Sequence, residues 1–447
     1  MRKFVSVFIV CLITLYAFVS YSSNLIEGKL KNGLAYRIYL KSDLPVVAVN
    51  LKIKAGSVFD PEGRFGLAYV VAHSLENCNT PMLTAEKLRI AFDKYGIKGS
   101  VGVSKGFIDI NFVGLSENID RIFCIINEFL HSKFDKAGID FVKREAVNSL
   151  LSLKNDKDYL AIHSAFVGLI EQPSINHTSI GEIEDVKRIE RRDVLRFFNT
   201  YFKPNNMVIS VSGGGFDPQI VIDEMKFYFE NRKGLRKPVF ENPRFLKGLH
   251  VRNIVKPNTK QSYIYFAFPS FGCCSKEYYA TIILAHILGG GLDSVLMKDI
   301  RTKHGYAYSA FAFNYELPKK GVFVVGLQTE NRFTLSAIDR VFADIKDIDK
   351  FITAKRVKLA KDYFSGSIPV SLQNNQSIAV SLSNAYFNGI DELPWIHFEK
   401  SIDNITVEDV KKVASKIFNS GSLSIGVVSY KDFTTKIKGI AKKYEYR

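Results

Sequence analysis

Cysteine is scarce: five residues in a chain of 447, none of them in a C-x-x-C pair. Spacing therefore indicates neither a disulfide framework nor a cysteine zinc site. Histidine is also thin, with eight residues and no two of them four apart. That excludes a helix presenting two imidazoles to one metal at H-x-x-E-H or H-x-x-x-H spacing. A basic run interleaved with aromatics is missing too, although Lys and Arg outnumber Asp and Glu by 61 to 45 and the net charge is +16. The excess is spread along the whole chain, which describes a solvated basic surface and no nucleic-acid partner.

One apolar run stands apart. Arg2 and Lys3 precede Phe4 to Val19, and the small residues Ser20, Ser22 and Ser23 follow. A charged start, an apolar core and small residues are the pattern of a secretory signal over residues 1–22. The expectation is an exported protein, periplasmic or secreted. The alternative is an uncleaved anchor, because about 16 apolar residues are only slightly short of a spanning helix; membrane contact would then run through this segment alone. Val10 before Cys11 argues against a lipoprotein cleavage site. After processing, Cys78, Cys124, Cys273 and Cys274 remain.

The remaining length suffices for two domains with substantial cores, and an internal duplication supplies them. Val70-Val71-Ala72-His73 returns as Ile283-Leu284-Ala285-His286, and Phe112-Val113-Gly114-Leu115 returns as Val324-Val325-Gly326-Leu327. Asp193-Val194, Phe202 and the alternating run Met207 to Val211 return as Asp409-Val410, Phe418 and Leu423 to Val427. Ordered matches at nearly constant offset mean two homologous halves. We place them at 23–230 and 247–447, joined by a linker at 231–246 that opens on the polar, Gly- and Pro-broken stretch Asn231 to Pro238.

Within each half the periodicity gives strands and helices without regular β-α alternation. Val46 to Ile53 and Phe107 to Phe112 alternate as half-buried strands do, as do Ser262 to Phe268, Ala307 to Phe313 and Val322 to Leu327. Ala85 to Lys94, Phe141 to Leu153, Lys276 to Leu288 and Val407 to Ile417 carry helical patterns. Strands paired with strands and helices grouped between them indicate an α+β fold, each half a mostly antiparallel sheet with helices packed on it.

The segment Gly66-Leu67-Ala68-Tyr69-Val70-Val71-Ala72-His73 has the shape of an H-x-x-E-H helix without its chemistry. Tyr69 stands at the first ligand position, Ala72 at the base position, and only His73 remains. A catalytic zinc needs three protein ligands, an open position and a base. Shifting the motif one turn to His73-Ser74-Leu75-Glu76-Asn77 would make Asn77 a ligand, a poor donor for zinc.

Gly66-Leu67-Ala68, the strand run Val101 to Phe112, Tyr201-Phe202-Lys203-Pro204-Asn205-Asn206 leading to Gly213, and the duplicated half together resemble the insulinase/pitrilysin-type metallopeptidases, including the mitochondrial processing peptidase subunits. The resemblance covers essentially the whole mature chain. It implies two α+β halves closing like a clamshell around an unfolded peptide. The family's third zinc ligand is a Glu that would fall at Val142, with Glu145 close by. The resemblance also implies a substrate-holding Arg followed seven residues later by Tyr, which here are Arg301 and Tyr308, behind the triple glycine Gly289, Gly290 and Gly291. That triple glycine reads as a loop, since Gly inside a helix costs on the order of 1 kcal/mol per residue.

The resemblance thus implies a chain without catalytic or metal-binding residues of its own, inactive alone. It would be the peptide-binding subunit of a heterodimer whose partner carries the zinc. A purely structural subunit is the alternative, and an active metalloendopeptidase has the least support.

Overall fold

The structure, a computed structural model, describes residues 24–41, 44–231 and 238–446. The leader expected at 1–22 and the linker residues 232–237 lie outside the described residues. Eleven strands among the described residues form two sheets. The first has the order β1 (Leu25–Lys29), β2 (Ala35–Leu40), β6 (Met207–Gly213), β3 (Val46–Ile53), β5 (Ile108–Leu115) and β4 (Lys98–Val103). The second has the order β7 (Gly248–Val255), β11 (Ser422–Ser429), β8 (Gln261–Phe271), β10 (Lys320–Glu330) and β9 (Ala307–Leu317).

The duplication is visible in this topology. In each sheet one parallel pair, β2 with β6 and β7 with β11, is followed by three antiparallel pairings. The first half adds only β1. The repeated Asp-Val sits at the same place in two helices. Asp193 accepts from the Glu190 N–H at 3.0 Å and Asp409 from the Thr406 N–H at 2.9 Å. Both close a capping box, which satisfies backbone donors that a helix start leaves unpaired. The protein is an α+β molecule of two homologous halves.

Each sheet buries one face against helices of its own half. Ile122, Phe123, Ile126 and Phe129 recur at helical spacing on Ile119–Leu130 and enter the first core. Leu423, Ile425 and Val427 of β11 enter the second core in the same way. The opposite faces are covered by an exchange. Helix Lys157–Leu169 of the first half lies on β7, β8 and β11, and helix Asn375–Phe387 of the second half lies on β2, β3 and β6.

Polar contacts fix both seats. Tyr265 Oη donates to Asp158 at 2.8 Å, Ser383 Oγ to Ser210 Oγ at 2.8 Å, and Arg37 to the Ile390 carbonyl at 2.6 Å.

The structure corrects two expectations. Val46 to Ile53 is buried along nearly its whole length and on both faces, because the exchanged helix covers the side expected to meet water. The run Val101 to Phe112 is a hairpin of β4 and β5, turning at Ser104 to Phe107, where Ser104 and Phe107 bond to each other. Among the described residues no helix is long and apolar enough to cross a membrane.

Candidate functional site

The helix Leu67–Asn77 starts at Gly66, whose φ of 102° is a left-handed conformation that glycine adopts freely. A side chain there would also strike the Ile180 carbonyl and come within 2.8 Å of Val186. Gly66 cannot cap the helix with a side chain, so Asp60 does. Its carboxylate accepts from the Gly66 and Ala68 N–H groups at 2.7 Å each, and His177 Nε2 lies at 3.3 Å. Burial pushes the Asp60 carboxyl up while these partners pull it down, and the net direction is up. Sequence reasoning missed Asp60; the signal was an acidic residue six positions ahead of the glycine.

Tyr69, His73 and Glu76 share one face of this helix. The Tyr69 and His73 rings lie 4.1 Å apart, and burial holds His73 toward its neutral form. Ala72 is fully buried in the first core. On the facing helix Lys136–Leu153, Val142 is buried in that core, while Glu145 is exposed and close enough for its charge to raise Tyr69 after burial has done so. Burial also raises Glu76.

One imidazole, a phenol and dispersed carboxylates do not fit a catalytic zinc. Among the described residues no three His, Cys, Asp or Glu side chains converge as a metal ion would need. The duplicated position repeats the packing, since His286 stacks on Tyr363 at 4.4 Å.

The second half carries the other set. Helix Tyr278–Gly289 takes in Gly289, which the sequence placed in a loop, and Gly290 is its C-cap. Glycine is required at 289 because a Cβ would strike the Ala312 nitrogen and come within 2.5 Å of the Phe311 carbonyl carbon, so the helix end touches the β9 backbone. Gly291 and Leu292 are exposed.

A π-helical stretch, Met297–Lys303, follows, with the His304 N–H reaching back to Asp299 O at 3.1 Å. Such stretches are rare and recur at functional sites. Arg301 lies in it, and its guanidinium sits 4.8 Å above the centre of the Tyr308 ring.

Tyr308 is 82 % exposed despite standing in a strand. Ser309 pairs with Gln328 and Ala307 with Thr329, so Tyr308 is the extra residue of a bulge on β9, the edge strand of its sheet. A bulge re-aims a side chain and is common beside active sites. The spacing of Arg301 and Tyr308 was legible in the sequence; the bulge was not.

Asp299 ties this stretch to helix Thr334–Lys346. It accepts from Arg340 Nε at 2.6 Å and lies 3.6 Å from His304. Arg340 reaches Asp344 at 3.8 Å, and one Asp344 oxygen is buried without a hydrogen-bond partner. Burial, and then the charge of Asp299, pushes Asp344 up from 3.8 to about 7. The folded state therefore holds this proton more tightly than the unfolded chain.

The stabilisation is complete below about pH 4 and is lost as pH rises through about 7. At one pKa step per 1.36 kcal/mol its ceiling is on the order of 4 kcal/mol. Denaturant melts between pH 4 and 8 should show that Asp344→Asn loses less stability over that range than the wild type. Parallel curves would remove Asp344 as the titrating group.

Fold and site together define a duplicated metallopeptidase frame whose motif helix lacks the ligand set. The model of the Peptidase M16 inactive domain matches residues 188–364. The non-peptidase homolog YmxG of Helicobacter pylori is 24% identical, covering 84% of this chain and 85% of its own. The mitochondrial-processing peptidase subunit beta of Blastocladiella emersonii is 20% identical over 90% of this chain and 87% of its own. A crystal structure of a peptidase M16 inactive domain from Pseudomonas fluorescens superposes with a TM-score of 0.82 at 20% identity, covering 92% of this chain and 99% of that one. The chain is similar to the insulinase/pitrilysin-type (M16) metallopeptidases in sequence and fold.

Proposed function

We propose that this chain is an exported, zinc-less M16-type subunit that holds an unfolded peptide for a zinc-bearing homologue. The observation carrying the reading is Arg301 stacked on an outward-bulged, solvent-facing Tyr308 at a sheet edge. An Arg offers up to five N–H donors to peptide carbonyls, and the phenol adds one more. Tyr69 and Ala72 stand where a ligand and a base would be needed, so cleavage requires another chain. Two relatives bear names in keeping with this: one is a non-peptidase homolog and the other a subunit of a processing peptidase. Export rests on the charged and apolar N-terminal sequence alone.

Co-expression with a zinc-bearing homologue of the same cell should give a stable one-to-one complex in which metal analysis finds zinc in the partner only. The isolated chain should hold no stoichiometric zinc and cleave no peptide. One zinc per isolated chain with chelator-sensitive hydrolysis would overturn the reading. A chain that stays alone beside every such homologue would remove the pairing.

A further inference from the structure

The turn that joins β8 to helix Tyr278–Gly289 carries two adjacent cysteines. Their sulfurs stand 3.9 Å apart, and Cys273 Sγ donates to Asn388 Oδ1 at 3.3 Å, with Cys274 Sγ 3.8 Å from the same oxygen. Both thiols line a cavity of about 880 Å³ between the halves, which Lys52 and Phe107 of the first half and Asn388 and Trp395 of the second also line. Cys274 is exposed and Cys273 half-buried. Asn388 ends the exchanged helix Asn375–Phe387, so the pair touches the seat where one half clasps the other.

We propose that Cys273 and Cys274 form a redox-active dithiol that a disulfide-bearing oxidant converts to a vicinal disulfide. The thiolate is the attacking species in such exchange. The single Cys273 S–H has Asn388 Oδ1 at 3.3 Å and Cys274 Sγ at 3.9 Å; turned toward Cys274 it lowers that thiol to about 6 and keeps Cys273 itself protonated. The other two described thiols are poorly suited. Burial pushes Cys78 up to about 12 and raises Cys124 as well.

Cys274 Sγ attacks one sulfur of the oxidant, forming a mixed disulfide and expelling one thiolate, which takes up a proton. Cys273 then gives up its proton and attacks Cys274 Sγ, expelling the second thiolate. Two protein thiols lose two electrons, and one oxidant disulfide becomes two thiols.

Adjacent Cα atoms stand about 3.8 Å apart across a trans peptide, less than the about 4.4 to 6.8 Å that disulfides ordinarily span. A bond formed at that spacing is one that ambient thiols reopen, which suits a reversible modification and not a structural staple. Closing the ring also withdraws Cys273 from Asn388.

The test treats the full chain with oxidised glutathione, blocks remaining thiols with N-ethylmaleimide and maps the tryptic peptide 261–276, which contains both cysteines. In the wild type that peptide should lose two hydrogens, take no maleimide and return to the dithiol with dithiothreitol. In Cys273→Ser the glutathione adduct should accumulate on Cys274, and in Cys274→Ser the remaining thiol should stay alkylatable over the same time. A wild-type adduct accumulating as in Cys273→Ser would overturn the proposal, because Cys273 would then not resolve it. So would a wild-type peptide that stays fully alkylated.

Discussion

Arg301→Ala should lower turnover by the assembled complex at least about tenfold, toward the roughly hundred- to thousandfold that loss of one preorganised donor costs, about 2.7 to 4 kcal/mol. The size follows from timing. On the proposed reading, a donor held in place by the π-helical stretch would meet the carbonyl under attack without reorganising, so its contribution would grow in the transition state.

Tyr308→Phe separates two contributions, because it keeps the ring beneath the guanidinium and removes only the exposed hydroxyl. If the ring's task is to orient Arg301, this variant loses less than Arg301→Ala; if the hydroxyl itself steadies the carbonyl, the two losses are alike. Tyr69→Phe touches only the vestigial motif and should leave turnover as it is. Zinc content and assembly should be unchanged in all three. Were Arg301→Ala and Tyr308→Phe both to cleave at the unmutated rate, the segment would serve packing alone, and a purely structural subunit would be the better reading.

The sequence shows the duplication, most strands and the lost ligands because those signals are local. Apolar spacing reports which face of a strand or helix is buried, and residue type at a motif position reports its chemistry. What periodicity does not report is the surface that a helix covers. Lys157–Leu169 and Asn375–Phe387 are not among the helical patterns read from the sequence, and each lies on the sheet of the other half.

Ser210 and Ser212 of β6, and Ser422, Ser424 and Gly426 of β11, occupy the alternate positions that a local pattern assigns to solvent. All four serines are buried. Ser210 meets Ser383, Ser424 faces Gly168 and Gly426 meets the Ala161 and Ala165 backbone of the exchanged helices, a demand on size that looks like polarity in sequence. The same limit applies at Tyr308, where a one-residue bulge turns an edge position outward, and at Gly289, whose neighbour is a strand more than twenty residues away.

Gly426→Ala tests the exchange most directly. A Cβ at this position would collide with the Ala161 carbonyl and come within 2.5 Å of the Ala165 nitrogen, both backbone atoms of the exchanged helix. Backbone cannot rotate away as a long side chain can, so either the helix lifts from β11 or β11 shifts against β7 and β8, with which Gly426 pairs at Arg252 and Tyr265. Lifting the helix would open the contacts of Phe166 and Leu169 in the core between helix and sheet.

Overpacking of this kind costs about 1 to 3 kcal/mol. At roughly 2 to 4 °C per kcal/mol for a unit of this size, the thermal midpoint should fall by roughly 2 to 12 °C. Gly291→Ala is the control, since nothing lies within 4 Å of a Cβ there, and it should melt with the wild type. Gly168→Ala should fall by less than Gly426→Ala, because its Cβ would meet Ser424 Oγ, a side-chain atom and not backbone, from the helix side of the same seat. If Gly426→Ala and Gly291→Ala were to melt together, the exchanged helix would not be seated on β11 at backbone contact, and the two halves would owe their association to something else.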